Sequence, residues 1–582
     1  MKKLIALLLA AVMLLAMAAC GSTASSAPTA DSGETALAQE TSAQEAPAEE
    51  APAEAAPIEE APSEEASAEE ASAGETPAEE TPAAAGIVYP VAEPVTLTAL
   101  GGIYQPRTAD KITSWSESLP YTEAAEATGI TIDMTCVASN QLQEQTQLTI
   151  SAGDYPDLFS SLNMYYQVQD LIDQDIIIDL APYLDEYAPD YMAAVREMGY
   201  EKDIVTDSGA SPATYYINEG TPNSGMMIRK DLLDKAGLDI PVTYDDYDVV
   251  MAAFKDMGVE EPWAMDGSSA GGSDVYNAAL GVQLYSHPIQ GSGNDGFYQV
   301  DGKIKYGFLE EGFVTYVTQM ADWFSKGYIN PDYVTANENN NAEEFTARVF
   351  NGTIGAVTAG RTNIDTYNTE GQAINPDFLI VPIPSPRLEA GQEIHLAPWR
   401  QSSLNAGFFA SSACENIEAL LAWHNYWFTE EGNMLTNYGV EGLTYNMEGG
   451  KPVFTDYITN NPEGMTLTQT TYIYVGQMGV VDNSREDQWY SEATVEAKTI
   501  WGENVDNDWK IPGACTMSTE ESEDYGTKFS DISTYVKEMF PKFIMGDEPI
   551  ENIGAFQEQL YAMGIEDCMA DWQGALDRYN QR

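Results

Sequence analysis

Basic residues are scarce in this chain. The 582 residues carry 26 Lys and Arg against 92 Asp and Glu, a formal net charge of −66. Phosphate backbones are held by clustered Lys and Arg, so a nucleic-acid partner is excluded. A polyanionic ligand such as a polyuronate is disfavoured too, although one local Arg suffices to hold a single acid group. Histidine is equally rare: His287, His395 and His424 lie far apart and read as structural. The five cysteines, Cys20, Cys136, Cys414, Cys515 and Cys568, form no C-x-x-C pair and no Cys/His cluster, which argues against a zinc site. The last four are enough for two disulfides in an exported domain, but their spacing fixes no pairing. No Ser/His/Asp constellation, HExxH or P-loop is visible, so the reading is not an enzyme. A glycosidase carboxylate pair stays as a remote alternative. The Asn-rich stretch 337–341 offers oxygens to calcium but follows no EF-hand pattern and reads as a solvated loop. No metal and no cofactor is expected.

Long apolar runs are missing as well, with one exception at the start. Lys2 and Lys3 precede the run Leu4–Met17, which is shorter than the roughly twenty residues of a membrane span. Ala18-Ala19-Cys20 follows, small residues before a cysteine, as a lipoprotein signal peptidase requires. Residues 1–19 are thus read as a signal peptide and Cys20 as the lipidated, palmitate-bearing residue. Met17 stands where such signals prefer Leu. Residues 21–86 contain no Lys, Arg or aromatic residue and sixteen acidic ones, in Ala/Glu/Pro repeats. Such a segment cannot bury enough apolar surface to offset ordering, and its charge and prolines extend it. Segment 20–86 is expected to be a disordered tether that holds the folded part off the membrane.

About 500 residues remain, more than one ordinary domain, with 33 Tyr, 17 Phe and 10 Trp in the chain. Val95 to Leu100 reads as a strand. Tyr121 to Thr128 reads as a helix stopped at Gly129, and Ile130 to Val137 as a second strand. A helix over Gln141 to Ser151 leads through the turn at Gly153 and Pro156 to a third strand. The rhythm repeats later: a strand at Met226–Arg229, a helix at Lys230–Ala236 stopped by Gly237, and a helix at Tyr244–Met257 capped by Thr243. A helix over Gly312–Lys326 and a strand over Ile354–Thr358 follow. The last third is helix-rich: Ile417–Trp427, Ser530–Met545, Ile553–Met563 and Ala570–Tyr579. Alternating strands and helices predict an α/β fold with mostly parallel sheets.

Seven stretches carry a resemblance: SAGDYPDLF, DLAPYLDEYAPDY, IRKDLLDKAGLDIPVTYDDY, FSKGYINPDY, FNGTIGAV, YWFTEEGNMLTNYGVEGLTYNMEGGKPVF and MGIEDCMADWQGALDRYNQR. In this order they resemble the extracellular solute-binding proteins of carbohydrate ABC importers, especially the large LipO/LplA-type lipoproteins, relatives of maltodextrin-binding proteins. The resemblance covers about 95–582. It implies a two-lobed, periplasmic-binding-protein-like fold of type II with the ligand cleft between the lobes. It places 87–218 and 377–437 in the first lobe, and 222–372 and 441–582 in the second. It implies a lipid-anchored monomer on the outer face of the cell membrane that hands a solute, an oligosaccharide or glycoside, to ABC permease subunits. A peptide or another small solute is the alternative ligand.

Sugars present hydroxyls and an apolar ring face, so a site for them needs aromatic platforms and planar polar groups. Trp263, in Glu261-Pro262-Trp263, resembles the Glu-Pro-aromatic of maltodextrin-binding proteins, where the aromatic stacks on sugar. Asn163 follows the third strand, and Tyr104 and Trp115 follow the first. Trp399, Arg400 and Gln401 share a loop, Arg361 follows the strand 354–358, and Tyr445 follows the turn at Gly442. Each is a candidate ligand contact. The bland alternatives are a packed core ring for the aromatics and a salt bridge for the arginines.

Overall fold

The computed structural model describes residues 87–582, apart from 109–110, 163–166, 220–221, 266–275, 285–295, 335–341, 396–403 and 504. Signal segment, tether, Cys20, Asn163, Trp399, Arg400, Gln401 and the Asn-rich stretch lie outside the described residues. The strands, in chain order, are β1 (Val95–Ile103), β2 (Ile130–Ala138), β3 (Leu158–Ser160), β4 (Thr214–Ile217), β5 (Ser224–Arg229) and β6 (Glu261–Ala264). They continue with β7 (Phe297–Val300), β8 (Lys303–Tyr306), β9 (Ile354–Gly360), β10 (Ile380–Pro382), β11 (Leu404–Ala410), β12 (Tyr445–Glu448) and β13 (Lys451–Phe454).

The described residues form one compact unit built on two α/β lobes. The first sheet has the order β2-β1-β3-β11-β4 and the second β10-β5-β9-β6. Pairs β7–β8 and β12–β13 are separate hairpins. Strand β2 buries Ile130, Ile132 and Met134 on one face and exposes the residues between them, the period-two pattern of a half-covered sheet. It pairs with β1 in parallel from Val95↔Ile130 to Ile103↔Ala138. Parallel neighbours need a crossover, supplied by the helix Leu119–Thr128. That helix ends at Gly129 in the left-handed conformation, φ 73°, which a side chain would resist.

Strand direction follows from chain path. In the first sheet only β11 is antiparallel to its neighbours β3 and β4. In the second only β5 is antiparallel to its neighbours β9 and β10. These are the strands that enter their sheet from the other lobe, so they run away from the crossings while the rest run toward them. The carboxyl ends of β1, β3, β6, β9 and β10 therefore all face the crossings.

The expected caps are in place. Thr243 and Asp246 form a reciprocal capping box on the helix Tyr244–Asp256, and Gly237 closes the helix Lys230–Ala236. The helix expected from Ser530 instead spans Thr519–Met545, opened by a capping box between Ser518 and Glu521. Its buried face begins only at Phe529, so its first turns carry no apolar period. The helix expected over Ala570–Tyr579 spans Ile565–Gln581.

Two lobe boundaries move. Residues 377–395 belong with the second lobe: β10 pairs with β5, Arg387 O accepts from Tyr244 N, and Gln392 donates to Ala279 O. The hairpin β12–β13 and the helix Leu467–Tyr474, expected in the second lobe, pack on the first. Ile473 and Met465 share a cluster with Ile103 and Ile112, and Lys111 pairs with Glu463 at 2.8 Å. Large apolar clusters then fill each lobe, one around Leu97, Leu158, Trp423 and Trp427 and the other around Phe254, Trp263, Trp323 and Phe540.

Cys136, Cys414, Cys515 and Cys568 are free thiols, the last three buried. Burial pushes the thiol of Cys414 up to about 11 and those of Cys515 and Cys568 up to about 12.

Candidate ligand cleft

Two crossings run side by side. One leaves β4 at Ile217, and the other passes through residues 480–483. Ile217 N donates to Gly479 O at 2.8 Å and Val481 N to Ile217 O at 2.9 Å. Asn483 Nδ2 donates to Asn218 Oδ1 and to Glu219 O, at 3.0 and 3.1 Å. Ile394 packs in the second lobe, and β11, which begins at Leu404, lies in the sheet of the first. In open α/β sheets ligands bind outside the carboxyl ends of strands, which here is the side where the lobes meet.

On the first lobe, the chain leaves β1 at Tyr104, which is 52% exposed, and turns through Gln105-Pro106-Arg107. Arg107 Nη1 donates to Tyr472 Oη at 2.7 Å. Its guanidinium lies 5.7 Å from the Tyr104 ring centre and 5.1 Å from that of Tyr472. Half-buried Trp115 packs its ring 5.6 Å from Tyr472 and donates Nε1–H to Gly102 O. The structure thus brings Tyr104 and Trp115 together through Arg107 and Tyr472, neither of which was a candidate. Two tyrosine rings against one guanidinium, with Trp115 packed on the second of them, supply both stacking faces and hydrogen-bond donors.

The other described candidates take different places. Trp263 is 1% exposed, and its ring packs 4.2 Å from Tyr276, 5.0 Å from Trp323 and 5.6 Å from Tyr247. It sits on β6 opposite Ala356 of β9. The ligand-platform reading is corrected: this is a core ring, because its face of β6 is covered by the helix Tyr244–Asp256 and the helix Glu311–Ser325.

Arg361 is 4% exposed and donates Nη2–H to Glu486 at 2.7 Å, while its backbone N donates to Asn223 O. Tyr490 lies under the guanidinium at 5.4 Å. The salt-bridge reading is the one observed. Arg361 fastens the end of β9 to both crossings.

Tyr445 is buried among Tyr438 and Phe454 and lines a separate first-lobe hollow of about 750 Å³. Glu123, Glu126, Glu430 and Glu431 border that hollow, and none of the Tyr104 cluster does.

Among the described residues, no three His, Cys, Asp or Glu groups are placed to hold a metal ion, and no helix is long and apolar enough to cross a membrane.

The chain is 22% identical over 366 residues to the lipoprotein LipO of Bacillus subtilis strain 168, covering 60% of this chain and 67% of that one. Its fold is similar to an HMO-binding, ABC-transporter-associated solute-binding protein from Bifidobacterium longum infantis, with a TM-score of 0.65, 17% identity, 84% of this chain and 99% of that one. It is also similar to the alginate-binding protein AlgQ2, with a TM-score of 0.61, 22% identity, 84% of this chain and 99% of that one. Residues 110–434, more than half of the chain, match the model of the bacterial extracellular solute-binding proteins, and the chain belongs to that family.

Proposed function

We propose that this protein is the capture component of an ABC importer for an oligosaccharide or glycoside. The observation that carries the reading is the Tyr104–Arg107–Tyr472–Trp115 cluster at the carboxyl end of β1, on the side where the two lobes join. Rings and a planar donor fork are the chemistry that a saccharide's apolar face and hydroxyls require. Proteins of similar fold carry names that describe binding to alginate and to HMO. Lobe closure on the solute is a hinge motion about the paired crossings, followed by delivery to permease subunits. Cys20 carries the lipid, residues 21–86 are the tether, and the folded part works as a monomer on the outer face of the membrane. It performs no catalysis.

A glycan and peptide panel read by thermal shift tests this. A ligand that binds only the folded state adds about 2.7 kcal/mol of stability at 100 times its Kd. Stabilisation by peptides and by no saccharide would replace this reading with that of a peptide receptor.

A further inference from the structure

In a chain this acidic, arginines are spent on carboxylates. Arg196 pairs with Asp185, Arg229 with Asp231, Arg348 with Glu261, Arg361 with Glu486, and Arg578 and Arg582 with Asp207. Arg387 and Arg485 are buried and donate to backbone carbonyls. Arg107 is different. Among the described residues it is the one exposed arginine without an ion pair, and it is held in place by a phenol oxygen and two tyrosine rings.

Holding an unpaired guanidinium still in this way costs side-chain entropy and gains little for the fold at an exposed site. It does prepare a binding group: one of its five N–H donors is engaged by Tyr472, and the rest of the fork is open. Tyr104, exposed, and Tyr472 flank the guanidinium, and half-buried Trp115 packs on Tyr472.

We propose that Arg107 is the first-lobe residue that reads the ligand, and that it reads the hydroxyls of an uncharged saccharide. This rests on the transport reading above. The neutral class follows from the charges around the site. Lys111, the nearest other cation in sequence, is neutralised by Glu463, and Arg361 at the crossings is neutralised by Glu486. Among the described residues, a polyuronate or polysulfate reaching the end of β1 would meet one guanidinium without an ion pair, enough for one acid group only, in the field of a chain with net charge −66. A hydroxyl-rich neutral ligand meets no such opposition and still accepts hydrogen bonds from the fork.

The test is calorimetric titration of the mature chain, Arg107→Ala and Arg107→Lys with neutral oligosaccharides, with oligosaccharides of the same length bearing a uronate at every residue, and with peptides. Circular dichroism and melting temperature check that the variants fold. The neutral ligand is expected to bind at least tenfold more tightly than its uronate analogue. Arg107→Ala is expected to weaken the neutral ligand tenfold or more with an unchanged melting temperature. Arg107→Lys is expected to restore only part of the affinity, since an ammonium lacks the planar fork. Tighter binding of the uronate analogue overturns the ligand class. Unchanged neutral binding in Arg107→Ala overturns the residue's role. Binding of peptides with no saccharide binding overturns the transport reading beneath both.

Discussion

Arg485 and Glu486 are neighbours in the chain and are anchored in opposite lobes. Arg485, 5% exposed, donates to the carbonyls of Thr436, Asn437 and Gly476 at 3.1–3.3 Å, all on the first lobe. Glu486 accepts from Arg361 at the end of β9 on the second. Both lie on one short helical turn, Asn483–Gln488, directly after a crossing. Along this segment the change of lobe falls between these two residues.

Loss of either anchor has a measurable cost. Arg485→Ala leaves Asn437 O and Gly476 O without this donor and Thr436 O with Gly476 N alone, and about 2–4 kcal/mol of unfolding free energy should disappear. Glu486→Gln leaves the buried Arg361 guanidinium without its counter-charge and should cost about 2–3 kcal/mol. Urea denaturation reads both. A Glu486→Gln protein as stable as the parent would show that the pair does not hold the hinge.

Trp263→Ala should behave as a core truncation. A fully buried Trp replaced by Ala typically costs about 3–5 kcal/mol, and the midpoint of urea unfolding should fall accordingly. Wild-type stability combined with lost ligand affinity would instead restore the stacking role expected from the Glu-Pro-Trp motif.

Acid sensitivity should begin at a histidine. His424 is fully buried among Tyr191, Phe408 and Phe428, and burial holds its imidazole down at about 3 from an ordinary 6.5. Its Nε2–H donates to Tyr215 O at 3.1 Å. As pH falls below about 6.5, the unfolded chain takes up a proton that the folded chain refuses. Stability is therefore complete above that value and is lost at about 1.4 kcal/mol per pH unit toward about pH 3. In His424→Gln the loss of stability between pH 6.5 and 5 should be smaller by about 1.4 kcal/mol per pH unit. Carboxylates with lowered values, among them Asp231 and Asp482, add their loss only at lower pH. Each is desolvated, and the lowering comes from Arg229 for the first and from Ser484 and Tyr438 for the second. An unchanged slope in the variant would remove His424 as its source.

The carboxyl-terminal residues clasp the first lobe. Arg582, with its side chain 4% exposed, donates to Lys202 O and Val205 O and pairs with Asp207, as does Arg578, while Tyr579 donates to Asp203. Asp207→Ala removes the shared carboxylate and should lower stability by about 1–3 kcal/mol. Hydrogen exchange should rise in 200–207 and in the last turn of the helix Ile565–Gln581. Unchanged exchange in both segments would show that Asp207 is not the fastening point.

Anchoring is tested by fractionation. Cys20→Ala should move the protein from the membrane fraction to the medium. Retention at the membrane, with the signal correctly processed, would contradict lipidation at Cys20.

The sequence made local features legible and distant ones opaque. Gly129, Gly237 and the Thr243–Asp246 cap stand beside the helix ends they govern, so reading them needs only a few residues. Arg107 could not be picked out, because its meaning comes from Tyr472, 365 residues away. The lobe membership of the helix Leu467–Tyr474 and of the residues just before it was hidden for the same reason, since their contacts are with Arg107, Lys111 and Ile112. Trp263 illustrates a different failure. A tripeptide motif carries the identity of a side chain but not the layer in which its strand lies.

The free thiols have a practical side. The thiolate is the reactive form, and three of the four cysteines in the folded part are buried with their thiols held far from ionising. The fourth, Cys136, is half-buried and also raised by burial. A new cysteine placed on an exposed residue beside the cleft would be the fastest-reacting sulfur in the chain. A maleimide dye put there at neutral pH, in the tether-free protein, would report solute capture as a change in emission, turning the receptor into an optical sensor without removal of its native thiols.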